Sequence, residues 1–375
     1  MLRFLTAGES HGPGLVTVVE GLPRGIEVTA EDFALELARR RRGYGRGARM
    51  KLEQDELEIL GGVRHGLTLG SPVAVLVRNT EWEKWSSVMS VAPGDEGNKV
   101  TRPRPGHADL AGMIKYGTDD ARDILERASA RETAARTVAG VLSRKLLATV
   151  GVDVLSQVVA IGEVRVELPP PLDRERIESS EVRCPDPDAT RRMMGAIDAA
   201  TEAKDTLGGV FEVAANGLPV GVGSHVHYDR RLDGLLAGAV MSVPGIKGVE
   251  IGEGFEVAGR PGSQAHDEIL ADLERVTNRA GGVEGGMSNG ELLLIRAAMK
   301  PISTLMQPLR TVDMATGEPA QAVRERSDVC SVPAAAVVAE QMVAFVLASE
   351  MMRKFGGDTI DDFVDSVERY RTRSR

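Results

Sequence analysis

Residues 129–149, SARETAARTVAGVLSRKLLAT, decide how the chain is read. Ala134, Val138, Val141, Leu142 and Leu146 recur at the spacing that puts them on one face, so the stretch reads as a long Ala-rich helix with one side to bury. Residues 152–161 then return to strand. Outward from there the alternation continues, with helices expected at 189–203, 232–241, 334–355 and 360–370, and strands at 208–214, 248–257 and 292–299. On the N-terminal side, strands are expected at 2–6, 15–19, 57–60 and 73–77. Between them Thr29 caps a helix, with Asp32 at the capping-box position and Phe33 and Leu37 as i, i+4 neighbours. Interleaving of this kind, without a flexible linker or a fixed-period repeat, predicts an α/β fold built as one domain over residues 1–375. Alternation alone suggests a parallel sheet.

The chain has 375 residues and a formal net charge of −9, which argues against a general nucleic-acid binder. Its arginines are nevertheless concentrated early, at 39–42, 46, 49, 102, 104, 122, 127, 131 and 136. Arginine offers a rigid, permanently charged fork that fits phosphate and carboxylate, so an acidic protein with local arginine points to a focused anion site. Two cysteines, Cys184 and Cys330, are too few for a disulfide framework. The opening dozen residues lack the apolar core of a signal peptide, and a cytoplasmic location is the expectation.

Five stretches carry chemistry. Ala7-Gly8-Glu9-Ser10-His11-Gly12 follows the first strand, and its glycines let backbone approach a ligand while exposing Ser10 and His11. His11 is suited to proton exchange near neutrality, although an ordinary turn with a solvated histidine fits the same letters. Arg102-Pro-Arg104-Pro-Gly106-His107-Ala-Asp109 repeats the glycine–histidine pairing, now beside Arg104. Arg127-Ala128-Ser129-Ala-Arg131 opens the long helix, where free N–H groups attract phosphate and a bound anion would offset the unfavourable placement of Arg131. The glycine-rich run 278–290 leads to a strand that ends in Lys300-Pro301-Ile302-Ser303-Thr304. It is neither a Walker loop nor a GxGxxG turn. Finally, Asp328 in Arg324-Glu-Arg326-Ser-Asp328-Val-Cys330 reads either as a helix-initiating acid or as a general base next to Arg326. Cys330 reads as a small buried residue. Trp82 and Trp85 in TEWEKW read as packing or interface aromatics. His225 and His227 have no acidic or cysteine partner at zinc spacing, so no metal site is expected.

These stretches together resemble the chorismate synthase family. AGESHG, RRRGYGRGARM, RPGHADLAGMIKYG, ERASARETAAR, IKGVEIG, NRAGGVEGGMSNGE, MKPIST and RSDVCSVPAAAVVAE stand in family order and span most of the chain. The resemblance implies a compact sandwich with a helical layer between antiparallel sheets, assembled as a homotetramer, and the parallel-sheet expectation gives way to it. It implies conversion of 5-enolpyruvylshikimate-3-phosphate to chorismate by a 1,4-anti elimination of phosphate that depends on reduced FMN, the last common step of aromatic amino-acid biosynthesis. It also implies roles for residues. His11 would protonate the leaving phosphate, His107 the reduced flavin, and Asp328, with Ser10 near it, would help flavin N5 take the ring proton. Arg40, Arg46, Arg49, Arg104, Arg131 and Arg326 would surround the substrate, whose phosphate and two carboxylates need several cations. FMN contacts would come from Arg127, Ala128, Ser129, Pro244, Gly245, Gly285, Lys300, Pro301, Ile302, Ser303, Thr304 and Arg326. Arg40 and Arg46 also match positions that contact NADP in the family. At 243–246 this chain reads Val-Pro-Gly-Ile where many relatives have a polar residue and alanine, so Pro244 and Gly245 would serve through backbone. The rival function is an NADPH-dependent flavin reductase, against which the absence of a GxGxxG strand–turn–helix counts. A polyanion-binding module is opposed by the acidic total and by only 3% aromatic residues.

Overall fold

The computed structural model describes residues 2–47, 55–93, 97, 99–271, 273–323 and 327–373. The first sheet contains β1 (Arg3–Ala7), β2 (Gly14–Glu20), β3 (Leu57–Gly61) and β4 (Val73–Arg78), in the order β1-β2-β4-β3. Between β2 and β3 the chain forms α1 (Ala30–Arg41), whose capping box is as the sequence indicates: Thr29 N–H donates to Asp32 at 2.8 Å, and Asp32 N–H to Thr29 Oγ1 at 3.4 Å. After β4 come α2 (Asp109–Tyr116), α3 (Arg122–Ala128) and α4 (Thr133–Ala148). Ser129 caps a single 3₁₀ turn, Ala130–Glu132, and the long helix begins only at Thr133.

The second sheet contains β5 (Asp153–Ile161), β6 (Val164–Arg165), β7 (Gly209–Asn216), β8 (Ile246–Ile251) and β9 (Leu293–Met299), ordered β8-β9-β7-β5-β6. Its strands are threaded by α5 (Pro187–Glu202) and α6 (Leu232–Met241), and the chain closes with α7 (Val332–Phe355) and α8 (Ile360–Arg373). Strand β8 stops at Ile251 rather than continuing to 257, because the chain turns there into the 3₁₀ run Gly254–Gly259. Among the described residues every ladder between strands is antiparallel. The parallel sheet that bare alternation suggests is therefore absent from them. The reason is geometric: both arrangements allow helices between strands, and hydrophobic period does not encode strand direction.

Helix α4 packs on the first sheet, α7 on the second, and the two helices pack on each other. The outcome is an α/β sandwich with helices between two antiparallel sheets. One apolar cluster runs from Leu2 through Phe33, Leu142 and Phe211 to Phe363 and Val367. Gly140 of α4 sits at the crossing with α7, where an added Cβ would lie 2.2 Å from Gln341 Cβ. Helix α7 is long and apolar enough by composition to cross a membrane, but 83% of its apolar window is buried against the rest of the chain. It is a core helix.

Charge also enters that core. Glu340 of α7 is fully buried and accepts from Arg39 at 2.8 and 3.0 Å, Arg144 at 2.9 Å, Arg183 at 2.9 Å and Ser156 N–H at 2.8 Å. Burial pushes its carboxyl up, but the guanidiniums of Arg39, Arg183 and Arg144 outweigh it and hold the group below the usual carboxylate range. The carboxylate thereby ties α1, α4, β5 and the segment before α5 to the central helix.

Candidate active site

The β1–β2 turn, the loop leading into α2, the C-terminal end of α3, the segment after β9 and the residues entering α7 meet around one cavity of about 370 Å³. Ser10, His11, Arg104, Gly106, His107, Ala128, Ser129, Pro244, Gly245, Lys300, Pro301, Ile302, Ser303, Thr304 and Asp328 line it. Stretches more than three hundred residues apart in sequence thus share one wall.

His11 Nδ1 lies 2.9 Å from each carboxylate oxygen of Glu126, and the His11 backbone N–H donates to Glu126 Oε2 at 2.9 Å. Ser10 is buried, donates its N–H to the Glu126 carbonyl at 3.0 Å and accepts at its hydroxyl from Ser129 Oγ at 3.1 Å. The His11 ring also faces Trp85, with centroids 4.1 Å apart. Burial raises the Glu126 carboxyl, but its bonds to His11 and the charge of Arg122 leave it lowered.

His107 has a carboxylate of its own. Its Nδ1 stands 2.5 Å from Asp109 Oδ1, while Arg104 donates from Nε to Asp109 Oδ2 at 2.8 Å and approaches His107 Nδ1 at 3.2 Å. Asp109 is buried; desolvation raises its carboxyl, and hydrogen bonds from His107 and Arg104 bring it well below the usual range. Arg104 also donates to Thr304 Oγ1 at 3.3 Å, linking this dyad to the 300–304 segment. Asp328 is paired with Arg46 at 2.7 Å and accepts from Gly47 N–H at 2.7 Å and Ser331 Oγ at 2.8 Å. Asp328 lies three residues before Ser331, which stands at the start of α7, and makes no cap to the helix; it lines the cavity, and its described cationic partner is Arg46 rather than the expected Arg326.

The remaining expected residues are distributed differently. Arg40 and Arg131 are buried and outside the cavity lining, and with Arg41 they converge on the carboxylate of Asp55: Arg40 at 3.8 Å, Arg41 at 3.5 Å, and Arg131 hydrogen-bonded to it. Arg131 also donates to Asn79 Oδ1 at 3.0 Å. Arg127 turns toward β1, donating to the carbonyls of Thr6 at 3.0 Å and Gly8 at 3.1 Å. Gly285 lies in the Val283–Ser288 hairpin, outside the cavity lining. Arg49 and Arg326 lie outside the described residues. Sequence reading missed Glu126 and Trp85 as partners of His11, and Asp55 as the partner of Arg40, Arg41 and Arg131. Glu126 stands inside a motif quoted for its arginines, and nothing local marks a carboxylate 115 positions from its histidine.

The cavity offers both polar and apolar surface to a ligand. Lys300, Ser303, Thr304 and Arg104 supply donors, and Leu125, Pro244, Met299 and Ile302 supply apolar surface. Gly106 and Gly245 both take left-handed backbone, φ 78° and 88°, and a Cβ on Gly245 would come within 3.1 Å of Met299 Cε. Close approach of a flat ligand needs a bare backbone of this kind.

Two histidines, each tied to a buried carboxylate, beside cations in a glycine-lined cavity are an arrangement suited to an enzyme with a small-molecule substrate. Comparison with known proteins narrows the class. The chorismate synthase family model matches residues 2–352. The chain is similar to the chorismate synthase of Streptomyces coelicolor, at 58% identity with 98% of each chain covered, and to that of Thermobifida fusca, at 57% identity over 99% of this chain and 98% of the relative. A crystal structure of chorismate synthase aligns with TM-score 0.79 and 41% identity over 98% of this chain and 97% of the other. The chain belongs to the chorismate synthase family. A stand-alone flavin reductase is not favoured by these matches.

Proposed function

We propose that this chain is a carbon–oxygen lyase that converts 5-enolpyruvylshikimate-3-phosphate to chorismate. The reaction eliminates phosphate and a distant ring hydrogen in 1,4-anti fashion and serves aromatic amino-acid biosynthesis. The observation that carries the reading is the meeting of His11, His107 and Asp328 in one cavity with Lys300, Ser303 and Thr304. Reduced FMN, when bound, supplies the electron-rich partner that makes this elimination possible with no net redox change.

The protein's part is placement and proton control. Lys300, Ser303, Thr304, Ser129 and the backbone at Pro244 and Gly245 are assigned to FMN, together with Arg127, Ala128, Gly285, Pro301, Ile302 and Arg326. The substrate's phosphate and carboxylates are assigned to Arg40, Arg46, Arg49, Arg104, Arg131 and Arg326, because a multiply charged anion needs fixed forks to be desolvated. His11 gives a proton to the departing phosphate oxygen. His107, held by Asp109, keeps a proton at the flavin N1 and C2 carbonyl edge. Asp328, which lines the cavity with Ser10, would assist proton movement at the flavin edge when the cofactor is bound. Arg40 and Arg46 are further assigned to NADP if the enzyme reduces its own flavin. We further propose that the chain acts as one catalytic domain, as its continuous core supports, in a cytoplasmic homotetramer.

The test is an anaerobic incubation of the protein with reduced FMN and the enolpyruvyl substrate. Stoichiometric phosphate and chorismate are the expected products. Absence of both would overturn this reading, and NADPH oxidation in a separate incubation with oxidised FMN, without chorismate, would replace it by a reductase.

A further inference from the structure

We infer that Glu126 and Trp85 are positioning residues for His11, gripping its imidazole at the edge and on the face, with Arg122 tying the two together. The catalytic consequence rests on the proposed elimination; the grip itself does not.

His11 sits in a turn flanked by Gly8 and Gly12, where the backbone gives its side chain little guidance. Glu126 of α3 supplies what the turn lacks. Its carboxylate meets Nδ1 at 2.9 Å through both oxygens and takes the His11 backbone N–H at 2.9 Å, while its own carbonyl takes the Ser10 N–H at 3.0 Å. One residue of a helix therefore holds the turn at main chain and ring alike. An ionised carboxylate only accepts, so the contact keeps a hydrogen on Nδ1; the proton given to the leaving phosphate is then the one on Nε2 of the doubly protonated ring, and the neutral ring left behind keeps its Nδ1 hydrogen on Glu126. Glu126 is itself buried and outside the cavity lining, so it acts through His11 and does not touch a ligand.

The second grip comes from a different element. Trp85 ends the short helix Trp82–Trp85, and its ring stacks on His11 with centroids 4.1 Å apart and planes 36° from parallel. Arg122 closes the assembly: its guanidinium lies 5.1 Å from the Trp85 ring centroid, and its Nη1 donates to Glu126 Oε1 at 3.1 Å. Edge contact fixes the tautomer, and face contact fixes rotation about the side-chain bonds. Setting a proton donor in place before substrate arrives removes an ordering cost from the barrier, and a misplacement of about 1 Å costs on the order of 10²-fold in rate.

The test uses full-length enzyme labelled with ¹⁵N on histidine, without substrate, followed by steady-state turnover at one pH. In wild type the His11 nitrogens should show a hydrogen fixed on Nδ1, and its carbon-bound protons should carry the ring-current shift of Trp85. Glu126→Ala should average the two nitrogens and lower kcat roughly 10²-fold with KM little changed, whereas Glu126→Gln, which keeps an acceptor oxygen, should recover much of the tautomer signal and part of the rate. Trp85→Leu, at a partly exposed site that does not threaten the fold, should abolish the ring-current shift and lower kcat while leaving KM. Should Glu126→Ala fail to fold, the Gln and Leu variants decide. Unchanged His11 signals in the variants, or variant kcat equal to wild type, would overturn the inference. If wild type itself makes no chorismate while the His11 signals respond as described, the proposed reaction fails and the grip stands.

Discussion

Asp55 is almost fully shielded, and Arg40, Arg41 and Arg131 all turn to it, so its one carboxylate is shared among three guanidiniums. Removing one member of such a buried cluster leaves charge uncompensated. Asp55→Ala should lower unfolding free energy by about 3–5 kcal/mol, read from denaturant melts; a change below about 1 kcal/mol would show that solvent reaches the cluster. His107 makes a contrasting case, because its ring lines the cavity and buried Asp109 keeps Arg104 as a cationic partner when the ring is removed. His107→Ala should leave the melting temperature near wild type while turnover with reduced FMN falls by a factor of about 10²–10⁴. At this scale the sequence told much about which residue types gather and little about their partners. His11, His107 and Asp328 were legible as candidates because glycine, arginine or a helix start flanks each of them. Their roles came from the order of motifs along the chain. Asp55 and Glu126 were not legible, since a carboxylate's partner is set by tertiary proximity. Two arginines expected in the substrate shell, Arg40 and Arg131, are the ones that Asp55 collects.

Helices and strands were easier to read than their directions. Period and capping located α1, α4, α7 and most strands, because each element buries one face and burial writes itself into spacing. The short helices α2 and α3, which carry Asp109 and Glu126, went unassigned: eight and seven residues give too few turns for a clear apolar stripe. The antiparallel order was equally hidden from spacing and was legible only through the family resemblance. The crossing of α4 with α7 offers a test of the helical layer. Gly140→Ala would raise helix propensity by about 1 kcal/mol, yet its Cβ would stand 2.7 Å from Gln341 Cα, a backbone atom that cannot swing aside. Overpacking of this kind costs about 1–3 kcal/mol, so net destabilisation is expected. A more stable variant by calorimetry would mean that the two helices pack more loosely than the structure has them.

For the whole molecule, Glu340 joins both halves of the sandwich through arginines from three separate segments. Its carboxyl is lowered in the folded state, so the stability it adds is fully present above the unfolded value of about 4.3. That contribution is lost as pH falls through the lower folded value. Glu340→Gln should therefore be less stable at neutral pH and should show a shallower loss of stability below about pH 4 than wild type. Parallel acid limbs in the two proteins would place the acid-sensitive group elsewhere. The same architecture delivers the turn after β1, the end of α3, the segment after β9 and the start of α7 to one cavity, and the functional reading depends on that convergence. The most direct measurement is single-turnover phosphate release under anaerobic conditions, with reduced FMN and the enolpyruvyl substrate, in wild type and in His11→Ala. Wild type should release phosphate and form chorismate together, and the variant should be slower by about 10²–10⁴-fold with its fold intact. Equal rates in the two proteins would contradict the account.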